Sequence, residues 1–256
     1  MTALLRAEWR KVTTTKLWWG MLLGAMALTA LGVVAQIASN GSRGSGEFAL
    51  PLSAGATQKS IAASAGSAYL FSVVVGIILI TTEFRHFTSR PTFLIEPRRG
   101  LVIVAKMLVA ALVGVVYGVV CAATAAAIMV PWLGALGVTI HWTDGGVLES
   151  LLSAIVVIAI FSVVGIGVGV LLRNQIAAVI GALAYLFVVE PLIQIIPVVK
   201  SIYPYLPGAA AGAITGVGRG AAAPLLSAWL GALVLLGWGV LFAVLGWVLT
   251  IRRDIP

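Results

Sequence analysis

Residues 148–172 read LESLLSAIVVIAIFSVVGIGVGVLL, with one charged side chain, Glu149, at the very start. A helix rises ~1.5 Å per residue, so about 20 apolar residues cross the ~30 Å of hydrocarbon in a bilayer. This stretch is long enough and lacks the alternation of a barrel strand, so it reads as a membrane-spanning helix. Five more runs of the same kind follow when the reading is extended outward. They cover residues 176–196 and 228–251 on the C-terminal side, and 17–38, 61–82 and 101–130 on the N-terminal side. The expected fold is therefore all-α: one polytopic domain over residues 1–256 with six transmembrane helices.

Composition excludes the other classes. Hydrophobic residues make up 61% of the 256 and charged residues 9%, and the mean hydropathy is +1.12. A soluble domain is about half apolar and about a quarter charged, so this chain has too few charges to coat a soluble surface. Cys121 is the only cysteine, which rules out an internal disulfide and a cysteine-rich metal site. Lying inside an apolar run, it reads as a small buried packing residue. The first span is too long for the core of a cleaved signal peptide. The third is long enough to tilt, and Lys106 near its start is expected to snorkel to the headgroups.

The net charge of +8 does not point to nucleic acid, because the basic residues sit in clusters between apolar runs, where they set orientation and meet anionic lipid. Arg6, Arg10, Lys11, Lys16, Arg85, Arg90, Arg98, Arg99, Lys106, Arg173, Arg252 and Arg253 fall on one side, against Arg43, Lys59, Lys200 and Arg219 on the other. The richer side belongs in the cytoplasm, so both termini are expected there. Before the first span, Met1, Leu5, Trp9 and Val12 recur at helical spacing while Arg6, Arg10 and Lys11 mostly point elsewhere. That pattern predicts a short amphipathic helix lying in the membrane interface.

On the outer side, residues 39–60 are polar, with a flexible Gly/Ser stretch at 41–46. Residues 131–147 bring Trp132, His141 and Trp142 to an interfacial belt. Residues 197–227 stay fairly apolar, and a short re-entrant helix is expected within them.

Candidate chemistry is sparse. The two histidines, His86 and His141, fall on opposite faces, and no phosphate-binding loop, metalloprotease or nucleophile-elbow motif occurs. The chain is therefore not expected to be an enzyme, to hydrolyse ATP by itself or to hold a metal. Glu190 is the one acid well inside a span, roughly 21 Å up the fifth helix from its start, so a relay of acids is absent. With Pro191 after it and Gln194 one turn on, Glu190 has two readings. One is an outer gate or pathway carboxylate; the other is a structural hydrogen bond capping the re-entrant turn. Gly165 and Gly169 form a small-x-x-x-small pair suited to close helix packing.

The densest polar segment is residues 81–100, TTEFRHFTSRPTFLIEPRRG. Aromatic and aliphatic side chains among its charges suggest a docking surface for another protein. The alternative is an interfacial helix, over about 88–95, that touches only lipid.

This segment also carries a family resemblance. Glu83-Phe84-Arg85-His86-x-Thr88, followed by Leu94, Pro97, Arg99 and Lys106, resembles the cytoplasmic signature of bacterial ATP-binding-cassette permeases of the type-2 export class. Leu171-Leu172-Arg173-Asn174-Gln175 with Ala177-Ala178 and Glu190-Pro191 is similar too, as is Tyr205-Leu206-Pro207-Gly208-Ala209. Pro91 departs from the pattern of a regular helix. The resemblance extends over nearly the whole chain.

It implies a multi-pass permease of a bacterial plasma membrane, built of six spans, an N-terminal elbow helix at Leu5, Trp9, Arg10 and Val12, and a cytoplasmic coupling helix between spans two and three. It further implies that Glu83, Phe84, Arg85, His86, Thr88, Arg90, Pro97 and Arg99 dock a separate ATPase subunit, which carries ATP and Mg. A second permease subunit, identical or related, completes the pathway, and export of drugs or antibiotics is among the cargoes implied. The competing readings are a self-contained channel or secondary carrier, and a non-transporting membrane scaffold.

Overall fold

The computed structural model describes residues 2–42, 51–85, 99–196, 201–216 and 226–248. Among them there is no strand, and six helical stretches are long and apolar enough to span a membrane. Helix α1 (Thr2–Thr14) breaks at Thr15–Lys16, and α2 (Leu17–Ser42) is the first span. The second span begins as α3 (Gly55–Ala63), tightens into a 3₁₀ turn at Ser64–Ala68 and continues as α4 (Tyr69–Arg85). The third is α5 (Arg99–Ala135) and the fourth α6 (Val147–Leu172). The fifth is α7 (Gln175–Ala184), a π-helical turn at Tyr185–Val189 and α8 (Glu190–Ile195). A short 3₁₀ turn at Tyr203–Tyr205 leads to α9 (Pro207–Thr215), and α10 (Ala228–Gly246) is the sixth span.

The stretch 148–172 that set the reading is also the hub. In its most apolar window α6 is 67% buried within the protein, against 17% for the fifth span and 22% for the sixth. It packs against α4, α5 and α10 together. Glycines allow these contacts. A Cβ on Gly165 would collide with the Val73 carbonyl oxygen of α4, and one on Gly76 of α4 with the Ser162 carbonyl oxygen of α6. Backbones come that close only where side chains are absent, as expected for helices associating in lipid. Cys121 is fully buried in the same core.

Several boundaries differ from expectation. The third span runs through Pro131 to Ala135, because one missing N–H near a helix end removes little. The polar connection at 39–60 loses its last residues to α3, whose Gln58 is fully buried: its amide donates to the Leu52 and Thr139 carbonyls at 3.1 and 2.9 Å and accepts from the His141 N–H at 2.9 Å. The fifth span runs through Pro191 as expected, but the helix widens just before it, with the Glu190 N–H bonded to the Tyr185 carbonyl five residues back, and then continues. A short helix expected between residues 197 and 227 is present as α9, packed on α10 and α6. The expected surface helix near 88–95, Met1 and the residues after Val248 lie outside the described residues.

Candidate functional site: a charge cluster and a cavity at the opposite end

The end of the molecule that carries α1 is organised by four charges. Leu5 and Trp9 are half-buried against the core and Val12 is buried, while Arg6 and Arg10 are exposed. α1 is thus amphipathic as its spacing predicts. Its inner face also carries Glu8, however, which is buried. Lys11, one turn later, bridges Glu8 at 2.6 Å and Glu83 of α4 at 2.7 Å. Lys106 of α5 reaches the same two carboxylates, binding Glu83 at 2.6 Å and the second oxygen of Glu8.

This corrects two expectations. Lys106 is only 3% exposed and does not snorkel, because two carboxylates wait inside within reach. Lys11 does not point away from the fold but turns back to close the cluster.

The electrostatics are mutual. Burial pushes the Glu8 carboxyl up, yet Lys106 and Lys11 more than offset it and hold the group below its ordinary range. Burial likewise pushes the Lys11 ammonium down, and Glu8 and Glu83 more than restore it, raising it above its ordinary range. Glu83 sits in the last turn of α4, where a helix dipole disfavours a carboxylate; the two lysines supply the opposite charge.

Of the expected docking residues, Glu83 is therefore turned inward and ion-paired. Phe84 is half-buried against the apolar cluster that includes Ile80 and Ile103, with the Arg173 guanidinium 5.8 Å from its ring centre. Arg85 is exposed at the end of α4. Arg99 opens α5, and His86, Thr88, Arg90 and Pro97 lie outside the described residues. Arg173 takes a left-handed conformation (φ 52) as it ends α6, a place that usually favours glycine. Sequence reasoning missed Glu8. The available signal was its i, i+3 spacing to Lys11 on a face otherwise apolar.

The opposite end holds a cavity of about 590 Å³ between α2, the Ser64–Ala68 turn, α8 and α9. Gln36, Ser60, Ser64, Ser67, Gln194 and Thr215 give it polar walls among small residues. Glu190, only 4% exposed, lies at its edge. Its two oxygens accept from the Gly208 and Ala209 N–H groups at 2.9 and 2.7 Å. These are orphan donors in the first turn of α9, and a carboxylate there gains from the helix dipole. Pro207 at the first position suits the same helix start. A Cβ on Gly208 would stand 2.7 Å from the carboxylate, so glycine is needed for this approach. The π turn is what aims Glu190 inward while Val188 and Leu192 face outward. Pro191 and Gln194 share the cavity wall. The capping reading of Glu190 thus matches its geometry.

Residues 4–189 match the family described as ABC-2 family transporter protein. No curated protein sequence matches the chain.

Proposed function

The chain belongs to the ABC-2 transporter family, as a multi-pass membrane permease component without catalysis of its own, and we propose that it is the permease subunit of an ATP-driven exporter. The α1 end faces the cytoplasm, where a separate ATPase subunit docks on Arg85 and the connection that follows α4. Two permease copies flank the pathway, and an apolar or amphipathic compound, such as an antibiotic, leaves through the side that holds the 590 Å³ cavity.

The observation that supports this reading is the Glu8–Lys11–Glu83–Lys106 cluster, in which Glu8, Glu83 and Lys106 are buried. It joins α1 to the end of α4 and the start of α5, the two helices that flank the docking connection. A push on that connection therefore reaches both spans and α1 as one body, and α4 carries it along its close contact with α6 to the hub. A rigid joint at the docking surface is what a chain without its own phosphate-binding loop needs in order to receive work from a partner.

Purification of the full chain from its native membrane tests the proposal. A nucleotide-hydrolysing subunit should co-elute with the unaltered chain and be lost or strongly depleted with Arg85→Glu, whose exposed site leaves folding intact. Recovery of the folded chain with no such subunit, together with transport that persists without nucleotide, would overturn it.

A further inference from the structure

The charge cluster is also one wall of a second cavity, of about 480 Å³, lined by α1, the Thr15–Lys16 break, the start of α2 and the last three turns of α4. That volume lies in the ~300–1,000 Å³ range of small-molecule sites. The cavity is divided by chemistry. Val75, Ile78, Leu79 and Leu17 form an apolar part, and Glu83 with Thr14, Thr15 and Thr82 forms a polar part.

The polar part is rich in acceptors and poor in donors. The three threonine hydroxyls donate to backbone carbonyls, of Arg10, Val12 and Ile78 respectively, which leaves their oxygen lone pairs for a ligand. Both ion pairs of Glu83 are made through Oε1, so among the described residues Oε2 carries none. Of the two lysines only Lys11 lines the cavity, and two of its three N–H donors are spent on Glu8 and Glu83. Trp18 also lines the cavity, and its indole N–H is buried with no partner among the described residues.

A ligand that satisfies this wall brings several N–H donors, a positive charge, one anionic acceptor for the remaining Lys11 donor, and an alkyl chain for the apolar part. We propose that the cavity binds the headgroup and upper acyl chain of an aminophospholipid of the phosphatidylethanolamine class, drawn from the bilayer. Its ammonium donates to Glu83 Oε2 and the threonine oxygens, its phosphate accepts from Lys11, and its chain lies along Ile78 and Leu79. The lipid then bridges α1, α2 and α4 beside the charge cluster.

The test uses the detergent-purified full chain and native mass spectrometry, titrating dioleoyl phosphatidylethanolamine, phosphatidylcholine and phosphatidylglycerol. Phosphatidylcholine keeps the positive charge but has no N–H donors; phosphatidylglycerol has no positive charge. One retained phosphatidylethanolamine per chain is expected, held at least tenfold more tightly than the other two. Ile78→Trp, which fills the apolar part, should abolish that retention. Thr82→Val, which removes an acceptor with little change of shape, should weaken it several-fold and remains informative should Ile78→Trp fail to fold. Equal retention of the three lipids would overturn the proposal, as would undiminished retention by folded variants. Binding of dodecylamine in place of the lipid would overturn it as well, by assigning the site to a soluble amine.

Discussion

Lys106 shows what a single side chain contributes at this membrane edge. A buried ammonium is tolerated because two carboxylates surround it, and removing it leaves Glu8 and Glu83 crowded together with only Lys11 between them. Breaking a buried ion pair from one side costs about 3–5 kcal/mol. Lys106→Met should therefore lower the melting temperature of the detergent-purified chain by many degrees, and Lys106→Met combined with Glu8→Gln should recover part of the loss. The cluster also fixes a pH dependence. The Glu8 carboxyl lies lower in the folded chain than its ordinary 4.5, so its contribution is complete above that value and is lost as pH falls through the lower, folded one. Melting temperature followed from pH 6 downward should stay level to about pH 5 and decline below it, and Glu8→Gln should flatten that decline.

Glu190 allows a similar separation. If its work is to hold the start of α9, Glu190→Gln weakens two charge-assisted bonds and lowers stability by about 1–2 kcal/mol, which thermal melting detects. If it serves the pathway instead, transport falls while the melting temperature stays in place.

At the scale of helices, the decisive feature is the glycine-to-glycine approach of α4 and α6. Gly76 and Gly165 meet each other's backbones, and Gly167 meets the Gly239 carbonyl of α10. Leucine at Gly165 forces α4 off the hub, so Gly165→Leu should yield little monodisperse protein by fluorescence-detected size-exclusion chromatography. Gly20, in the first turn of α2, has open space around its Cα. Gly20→Ala should be neutral or stabilise slightly, because alanine costs ~1 kcal/mol less than glycine in a helix. The comparison tests packing rather than glycine content. The small-x-x-x-small pattern at Gly165 and Gly169 was visible in the sequence, but its partner Gly76 was not, since nothing local marks which helix comes to meet it.

For the molecule as a whole, six spans with basic clusters at one end predict a definite sidedness. Cys121 is fully buried, so it should resist maleimide labelling until the protein is denatured, and new cysteines can report position against a silent background. With a membrane-impermeant maleimide on sealed cells, Leu136→Cys should label from outside, and Arg10→Cys only after permeabilisation. Both sites are exposed on the protein surface. Reversed labelling would place α1 and the docking connection outside, where no cytoplasmic ATPase reaches them.

The amino-acid order alone determined the class, the six crossings, the amphipathic α1 and a short helix somewhere within residues 197–227, because length, apolarity and helical spacing are local properties that a lipid solvent enforces directly. The burial of Lys106, the inward turn of Lys11, the bridging of Glu8 and Glu83 through those two lysines and the grip of Glu190 on α9 were decided only by the tertiary structure. Each joins residues far apart in the chain, and a charge near a membrane edge can equally snorkel to water or find an internal counterion. Which outcome prevails depends on whether an opposite charge from another helix lies within about 3 Å, a distance that no local pattern encodes.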